Sequence, residues 1–236
     1  MINEAVILAG GMGTRLKEVV PDKPKPMADI NGRPFLEYLV NYLAQNTVSR
    51  IIFSVGFKAD IIINHFKNKF KNIDIEYVIE DIPLGTGGGI VKALGKVTGS
   101  DLFIFNGDTL FNIDLEKMAR FHESKEAFLT IALKKNENSS RYGSVIIDDT
   151  YQIKAFREKK LNAGRELING GVYLLSKEKF LQESLPEIFS FEKDFLEKYF
   201  LKRKFYGMPF DNYFIDIGTP STYKLAQTDL LNEFNR

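Results

Sequence analysis

The sequence predicts an α/β fold in which a mainly parallel sheet carries helices on both faces and is extended by antiparallel strands in its second half. Three observations lead there. Short apolar runs that read as buried strands (Ala5 to Ala9, Ile51 to Val55, Ile75 to Glu80, Asp101 to Phe105) alternate with stretches whose apolar residues recur at helical spacing. The first, third and fourth of these runs lead into the motifs Gly10-Gly11-Met12-Gly13, Gly85-Thr86-Gly87-Gly88-Gly89 and Asn106-Gly107-Asp108, at what would be the carboxyl ends of strands, where ligands of open parallel sheets collect. From residue 127 the pattern changes to short β segments divided by polar loops, as antiparallel strands added to a parallel half would show.

The chain has 236 residues, enough for one large domain with a sizeable core. Its 32 basic and 31 acidic side chains leave a formal charge of +1, so no global field draws in nucleic acid or an anionic membrane, and any anion must be held locally. Cysteine is absent, which removes disulfides, thiol nucleophiles and thiolate metal sites. The two histidines, His65 and His122, lie far apart in polar helical contexts, so zinc hydrolysis and Ser-His chemistry fit poorly. Met1 leads straight into the first strand without a basic, apolar leader, and no apolar run approaches about 18 residues, so a cytoplasmic protein is expected.

The first apolar run ends in Gly10-Gly11-Met12-Gly13-Thr14-Arg15. Glycine leaves no Cβ in the way, so consecutive N–H groups can turn inward around an anion; Thr14 adds a hydroxyl donor and Arg15 a forked cation suited to phosphate oxygens. Polyphosphate is the natural ligand. The P-loop needs Lys-Ser or Lys-Thr after its last glycine, where Thr14-Arg15 stands, and a dinucleotide fingerprint begun at Gly11 and Gly13 would put its third glycine on Leu16. Neither motif fits, and a glycine-rich turn without a ligand stays open as the alternative. Val19 to Ile30 then holds Pro21, Pro24 and Pro26 around Lys23 and Lys25. Prolines so close together exclude helix and predict a stiff, extended segment that offers Lys25 to phosphate, the alternative being a solvated loop lysine. Pro34 opens a helix with a stripe at Leu36, Leu39, Val40 and Leu43, and residues 58–70 predict another through Ile62, Phe66 and Phe70.

The third run delivers Glu80 and Asp81, then Pro83-Leu84-Gly85-Thr86-Gly87-Gly88-Gly89, a second glycine loop expected to face the same crevice. The fourth ends in Asn106-Gly107-Asp108. An aspartate fixed beside phosphates is well placed to hold Mg²⁺, which takes one or two carboxylates and completes its octahedron with phosphate oxygens and water. Asn-Gly-Asp is equally good turn chemistry, and the residues leave both readings open. In the second half, strands are expected at Phe128 to Leu133, Gly143 to Ile147, Ile153 to Phe156 and Glu166 to Leu175, with Glu158, Lys159 and Asn169-Gly170-Gly171 among the polar groups they carry. Helices are expected at 176–183 and 191–201, and Tyr206 to Ile217 as a strand pair ending in Asp216-Ile217-Gly218-Thr219-Pro220. Thr219 as N-cap and Pro220 in the first turn start a last helix that runs to about residue 234.

Taken in order, Leu-Ala-Gly-Gly-Met-Gly-Thr-Arg-Leu, Lys-Pro-Lys-Pro-Met, Pro-Leu-Gly-Thr-Gly-Gly, Asn-Gly-Asp, Phe-Arg-Glu-Lys, Asn-Gly-Gly-Val-Tyr and Asp-Ile-Gly-Thr-Pro, spread from residue 8 to residue 220, resemble the motifs of the sugar-phosphate nucleotidylyltransferases. The resemblance implies a three-layer α/β/α, Rossmann-like catalytic domain without the β-helix that some members append. It implies a nucleotide-binding part over about 1–112 and a sugar-binding part over about 113–236. It also implies in-line attack of a sugar 1-phosphate on the α-phosphorus of a nucleoside triphosphate, with pyrophosphate leaving and no covalent enzyme intermediate, so that positioning and charge stabilisation carry catalysis. By motif match Arg15 and Lys25 neutralise phosphate charge, and Asp108 and Asp216 hold Mg²⁺. The nucleotide is expected against Leu8, Ala9, Gly10, Gly11, Gly13, Thr14, Glu80, Gly85, Thr86 and Gly107. The sugar phosphate is expected against Gly143, Glu158, Lys159, Asn169 and Gly170.

Thymidylyl- and uridylyl-transferring members usually read the base with glutamine where this chain has Glu80. A carboxylate only accepts hydrogen bonds, so it fits the N1–H and N2–H₂ donors of guanine and repels the carbonyls flanking N3–H in uracil or thymine. GTP is therefore expected, unless Glu80 faces solvent and Asp81 or backbone groups read the base. Within the family the chain most resembles the guanylyltransferases acting on D-glycero-α-D-manno-heptose 1-phosphate, which supply bacterial surface polysaccharide. Those acting on mannose 1-phosphate come second, and a regulatory subunit that keeps the fold without the chemistry is disfavoured because Arg15, Lys25, Asp108 and Asp216 are all present. Association into a homo-oligomer is left open.

Overall fold

Ala5, Val6 and Ile7 lie at the centre of the sheet with no exposed surface in the computed structural model, which describes residues 2–11, 13, 16, 19–136, 144–157 and 166–234. In chain order the first half holds β1 (Glu4–Leu8), the short strands β2 (Asp29–Ile30) and β3 (Arg33–Pro34), α1 (Phe35–Ala44), β4 (Arg50–Val55), α2 (Ala59–Phe66), β5 (Lys69–Phe70), β6 (Ile73–Ile79), α3 (Gly85–Leu94), β7 (Asp101–Asn106), β8 (Thr109–Phe111) and α4 (Leu115–Ser124). The second half holds β9 (Leu129–Asn136), β10 (Ser144–Ile147), β11 (Ile153–Arg157), β12 (Glu166–Ser176) and α5 (Lys177–Leu181). A wide helical turn at Phe191–Leu196 runs into α6 (Glu197–Tyr199), followed by β13 (Phe205–Phe210), β14 (Phe214–Asp216) and α7 (Pro220–Phe234).

The main sheet runs β11-β10-β12-β7-β1-β4-β6-β5, with β9 also paired to β12 and β13 to β9. β7, β1, β4 and β6 are mutually parallel, while β12 runs antiparallel to β7 and β9. Side chains alternate across the strands, so Ala5, Ile7, Ile51 and Phe53 face a core closed by α1, α2, α4 and α7, and Val6, Ile52 and Ile104 face one closed by α3, α5 and the Phe191–Leu196 turn. Two apolar faces demand two helical layers, which is the expected α/β/α order. Each fully buried Phe or Leu contributes about 1.5–3 kcal/mol of transfer free energy to that arrangement. At the amino ends of the strands Arg50 pairs with both Glu4 and Glu76, tying β1, β4 and β6 together through charge.

Five expectations are corrected. The helix expected over 58–70 stops at Phe66: Lys67 and Lys71 take positive φ, and residues 69–70 form an edge strand on β6. The proline segment contains one 3-10 turn, Lys25–Met27, because Pro26 sits at its start, where no N–H is needed. The second glycine cluster is the first turn of α3, its glycines serving close packing: a Cβ on Gly87 would enter the Phe189 ring, and one on Gly88 would meet the Glu187 carbonyl. Phe205–Phe210 and Phe214–Asp216 do not pair with each other; β13 joins β9 in parallel and β14 joins β8 in a separate two-stranded ribbon. His122 is buried, with Nδ1 2.8 Å from Thr130 Oγ1, despite its polar neighbours in sequence. Among the described residues no helix is long and apolar enough to cross a membrane.

Candidate active site

The carboxyl ends of β1, β4, β6 and β7 open onto one cleft of about 660 Å³. The end of β1 supplies Leu8, Ala9, Gly10, Gly11 and Gly13, and the proline segment supplies Lys25 and Pro26. Gly56 and Phe57 come from the end of β4, and Glu80, Asp81 and Pro83 from the end of β6. Gly85 and Thr86 come from the start of α3, and Asn106 and Asp108 from the end of β7. Parallel strands deliver all their loops at one edge, which is why residues 8, 56, 80 and 106 meet in space. The ladder extends into these loops: Ala9 N donates to Ser54 O at 2.8 Å, and Glu80 N to Val55 O at 2.8 Å.

Glu80 is turned inward. Its Oε1 accepts from Ser54 Oγ at 2.7 Å and its Oε2 from Leu84 N at 3.1 Å. A Cβ on Gly10 would lie 2.8 Å from that Oε1 and one on Gly89 2.9 Å, so only glycine at both positions leaves a slot for the carboxylate. Two of its roughly four acceptor positions are thereby used, and two remain for a ligand. Asp81 is exposed and pairs with Lys92 at 3.6 Å. The start of α3, with its partial positive charge and outward N–H groups, faces the same cleft through Gly85 and Thr86.

Lys25 is fixed on two sides. Gly13 takes φ +58°, and the space its missing Cβ would fill lies 2.7 Å from Lys25 Cβ. At its far end the Lys25 ammonium pairs with Asp108 Oδ2. Asp216 comes alongside because β14 pairs with β8: Asp216 stands opposite Thr109, and Ile217 N donates to Asp108 O at 3.0 Å. Gly218 N donates to Asp216 Oδ1 at 2.8 Å. Among the described residues no group of three or more His, Cys, Asp or Glu converges. Two carboxylates and no nitrogen or sulfur ligand suit a hard divalent cation that draws its other ligands from water and phosphate, and do not suit zinc.

Asn169, expected against the sugar phosphate, sits where β12 shifts register between Asn169 and Tyr173. Its Oδ1 accepts from Gly171 N at 2.9 Å, and its Nδ2 donates to Tyr173 Oη at 2.9 Å. Gly107, Asn169, Gly170 and Asp216 do not line the cleft, and the two glycines are enclosed by protein. Gly170 is buried, the position of its missing side chain occupied by the Phe111 ring and the Ala132 carbonyl, and Gly107 is buried with its N–H on Leu8 O at 2.9 Å. Both glycines bring backbones together. Thr14, Arg15, Gly143, Glu158 and Lys159 lie outside the described residues. Sequence reasoning missed Ser54, Gly56, Phe57 and Asn106. Gly56 and Phe57 follow an apolar run just as the other loops do, so the rule that selected those loops would have selected them.

A second cleft, about 650 Å³, opens at the opposite ends of the strands among Asp101, Glu116, Arg120, His122 and Lys179. It holds no glycine loop, and acidic side chains outnumber basic ones along it, so it does not suit a polyphosphate.

The chain matches the family model described as Nucleotidyl transferase over residues 4–233. It is 50% identical over 227 residues to the D-glycero-alpha-D-manno-heptose 1-phosphate guanylyltransferase of Aneurinibacillus thermoaerophilus, covering 96% of this chain and 98% of that one. To the enzyme of the same name from Campylobacter jejuni it is 44% identical, over 93% of this chain and 96% of the other. The crystal structure of HddC from Yersinia pseudotuberculosis complexed with GMP-PN superimposes with a TM-score of 0.86 at 40% identity, over 97% of this chain and 100% of that one. Glycine loops, carboxylate pair and strand order thus coincide with a match across nearly the whole length, and the chain belongs to the nucleotidyl transferase family.

Proposed function

We propose that this chain transfers GMP from GTP to D-glycero-α-D-manno-heptose 1-phosphate, giving GDP-heptose and pyrophosphate. The observation that carries the guanine assignment is the Glu80 carboxylate, held in a glycine-walled slot of the cleft with acceptor positions left for paired donors. The relatives named as heptose 1-phosphate guanylyltransferases support the same nucleotide and the same sugar.

In this reading a sugar-phosphate oxygen forms a bond to the α-phosphorus in line with the bond to the β-phosphate, which breaks as pyrophosphate leaves. The chain supplies no nucleophile. Gly10, Gly11, Gly13 and the start of α3 bind the triphosphate through backbone N–H groups, and Lys25 transfers its ammonium from Asp108 to phosphate oxygens, with Arg15 as the second cation. Asp108 and Asp216 would hold Mg²⁺, which when bound supplies positive charge against the phosphate oxygens. Asn169, with Glu158 and Lys159, orients the sugar phosphate. The nucleotide part spans about 1–112 and the sugar part about 113–236, and the use of GTP assigns the work to the cytoplasm.

Pyrophosphate release from GTP, UTP, dTTP and CTP with Mg²⁺ and a panel of sugar 1-phosphates tests the proposal. A heptose has one more hydroxymethylene than mannose, and a site that hydrogen-bonds its hydroxyl rejects the shorter sugar. kcat/KM for the heptose phosphate should exceed that for mannose 1-phosphate by at least about tenfold, or about 1.4 kcal/mol. Equal values would move the chain to mannose 1-phosphate, and a preference for dTTP or CTP would overturn the guanylyl assignment.

A further inference from the structure

We infer that Tyr173 and Glu192 are positioning residues that fix the orientation of the Asn169 amide. The inference rests on the reading that Asn169 meets sugar hydroxyls. Tyr173 lies on β12 with no exposed surface, its ring edge-on to Phe191 at 5.2 Å. Its hydroxyl accepts from Asn169 Nδ2 at 2.9 Å. It donates to Glu192 Oε1 at 3.5 Å. A phenol has one proton and two lone pairs. With one lone pair engaged by the Asn169 amide, the proton is directed to Glu192, its hydrogen-bond acceptor among the described residues. Burial first, and then the nearby Glu192 charge, push the phenol far above its ordinary pKa, so the proton stays in place.

Glu192 is itself held from the nucleotide side. Its Oε2 accepts from Thr86 Oγ1 at 2.8 Å and from Ser190 Oγ at 3.2 Å, while Thr86 Oγ1 accepts from Phe191 N at 2.8 Å. Thr86 is in the first turn of α3, which lines the cleft. The chain of bonds therefore runs from the nucleotide loop through Glu192 and Tyr173 to Asn169.

The consequence is local and specific. Flipping the Asn169 amide would set Nδ2 against the Gly171 N–H and Oδ1 against a hydroxyl whose proton is committed elsewhere, so both hydrogen bonds would be lost. One orientation survives, leaving one N–H and one oxygen lone pair of the amide for ligand. That pair suits two neighbouring hydroxyls of a sugar, one accepting and one donating. Without Glu192 the Tyr173 hydroxyl is free to turn its proton toward a flipped amide, and only the Gly171 N–H still selects the orientation.

The test is steady-state kinetics of Tyr173→Phe, Glu192→Ala and Glu192→Gln against wild type, with thermal midpoints measured alongside. Tyr173→Phe and Glu192→Ala should raise KM for the heptose 1-phosphate about tenfold while KM for GTP stays within about twofold. Glu192→Gln keeps an acceptor for the Tyr173 hydroxyl and should restore the sugar KM to within about threefold of wild type. If Glu192→Ala does not fold, Tyr173→Phe decides, because it removes one oxygen from an otherwise unchanged ring. Unchanged sugar KM in the variants of an active wild type overturns this inference alone, as does a parallel loss for both substrates together with the thermal midpoint. A wild-type chain that turns over no sugar 1-phosphate overturns the proposed function, and this inference with it.

Discussion

Ser54 Oγ donates a 2.7 Å hydrogen bond to Glu80 Oε1, from a fully buried position on β4 to the residue that follows β6. Together with the Leu84 N–H on the other oxygen, it sets the plane of the carboxylate before any ligand arrives. Glu80→Gln disturbs this in either orientation, since the amide NH₂ replaces either the oxygen that accepts from Ser54 or the one that accepts from Leu84 N, and offers guanine a donor where it needs an acceptor. The variant should lose at least about tenfold in kcat/KM for GTP, about 1.4 kcal/mol, and gain activity with UTP or dTTP. Competition between nucleotides measures it, and an unchanged GTP to UTP ratio would remove Glu80 from base recognition.

Asp108→Asn and Asp216→Asn each remove one charge from the pair beside Lys25. Loss of metal stabilisation of phosphoryl charge, worth several kcal/mol, should cut turnover by at least about a hundredfold. The fold should hold, because asparagine keeps the size of each side chain and, at position 216, an oxygen for the Gly218 N–H. Near-normal turnover in Asp108→Asn would sink the assignment.

Two glycines should differ in their response to alanine. Gly87→Ala drives a methyl into the buried Phe189 ring, an overpacking that costs about 1–3 kcal/mol and outweighs the roughly 1 kcal/mol gained in helix propensity. Gly11 has no atom within 4 Å of its added Cβ, so Gly11→Ala should leave stability unchanged while intruding on the cleft. Urea unfolding separates the two, and equal midpoints would refute the packing role of Gly87.

Acid should loosen the amino ends of the strands. Hydrogen bonding from Lys96 first, then Arg50, holds the Glu76 carboxyl at about 2 instead of the ordinary 4.5. A carboxyl whose folded pKa is depressed contributes stability that is present above its unfolded pKa and lost as pH falls through the folded one. The thermal midpoint should therefore be flat above about pH 5 and fall between about pH 4.5 and pH 2. In Glu76→Gln the neutral-pH midpoint should drop and the acid slope should flatten; a slope identical to wild type would show that Glu76 plays no part.

The parallel half was legible because buried strands are continuous apolar runs, and Ile51 to Val55 or Asp101 to Phe105 admit few other readings. The convergence of Gly10, Glu80 and Asp108 followed from topology alone, since parallel strands point their loops to one edge. What could not be read depended on distant partners. Gly87 and Gly88 look like loop residues by propensity, and only Phe189 and Glu187, about a hundred positions away, show why small residues begin a helix there. Gly170 looks like part of a sugar-binding motif until Phe111 is found filling its face. Glu192 belongs to no motif, and its partners Thr86 and Tyr173 come from other elements.

β12 pairs with β7 through Val172 to Ser176 and with β10 at Ile168, so a single strand is common property of the first half of the chain and the second, the proposed nucleotide and sugar parts. The two regions are consequently not interchangeable cassettes. A fragment ending near residue 112 would leave the β7 edge bare, with Leu102, Phe103, Ile104 and Phe105 unshielded and ready to template pairing between copies. A chimera that trades sugar preference between relatives would have to carry β12 and its β7 partner as one inherited piece.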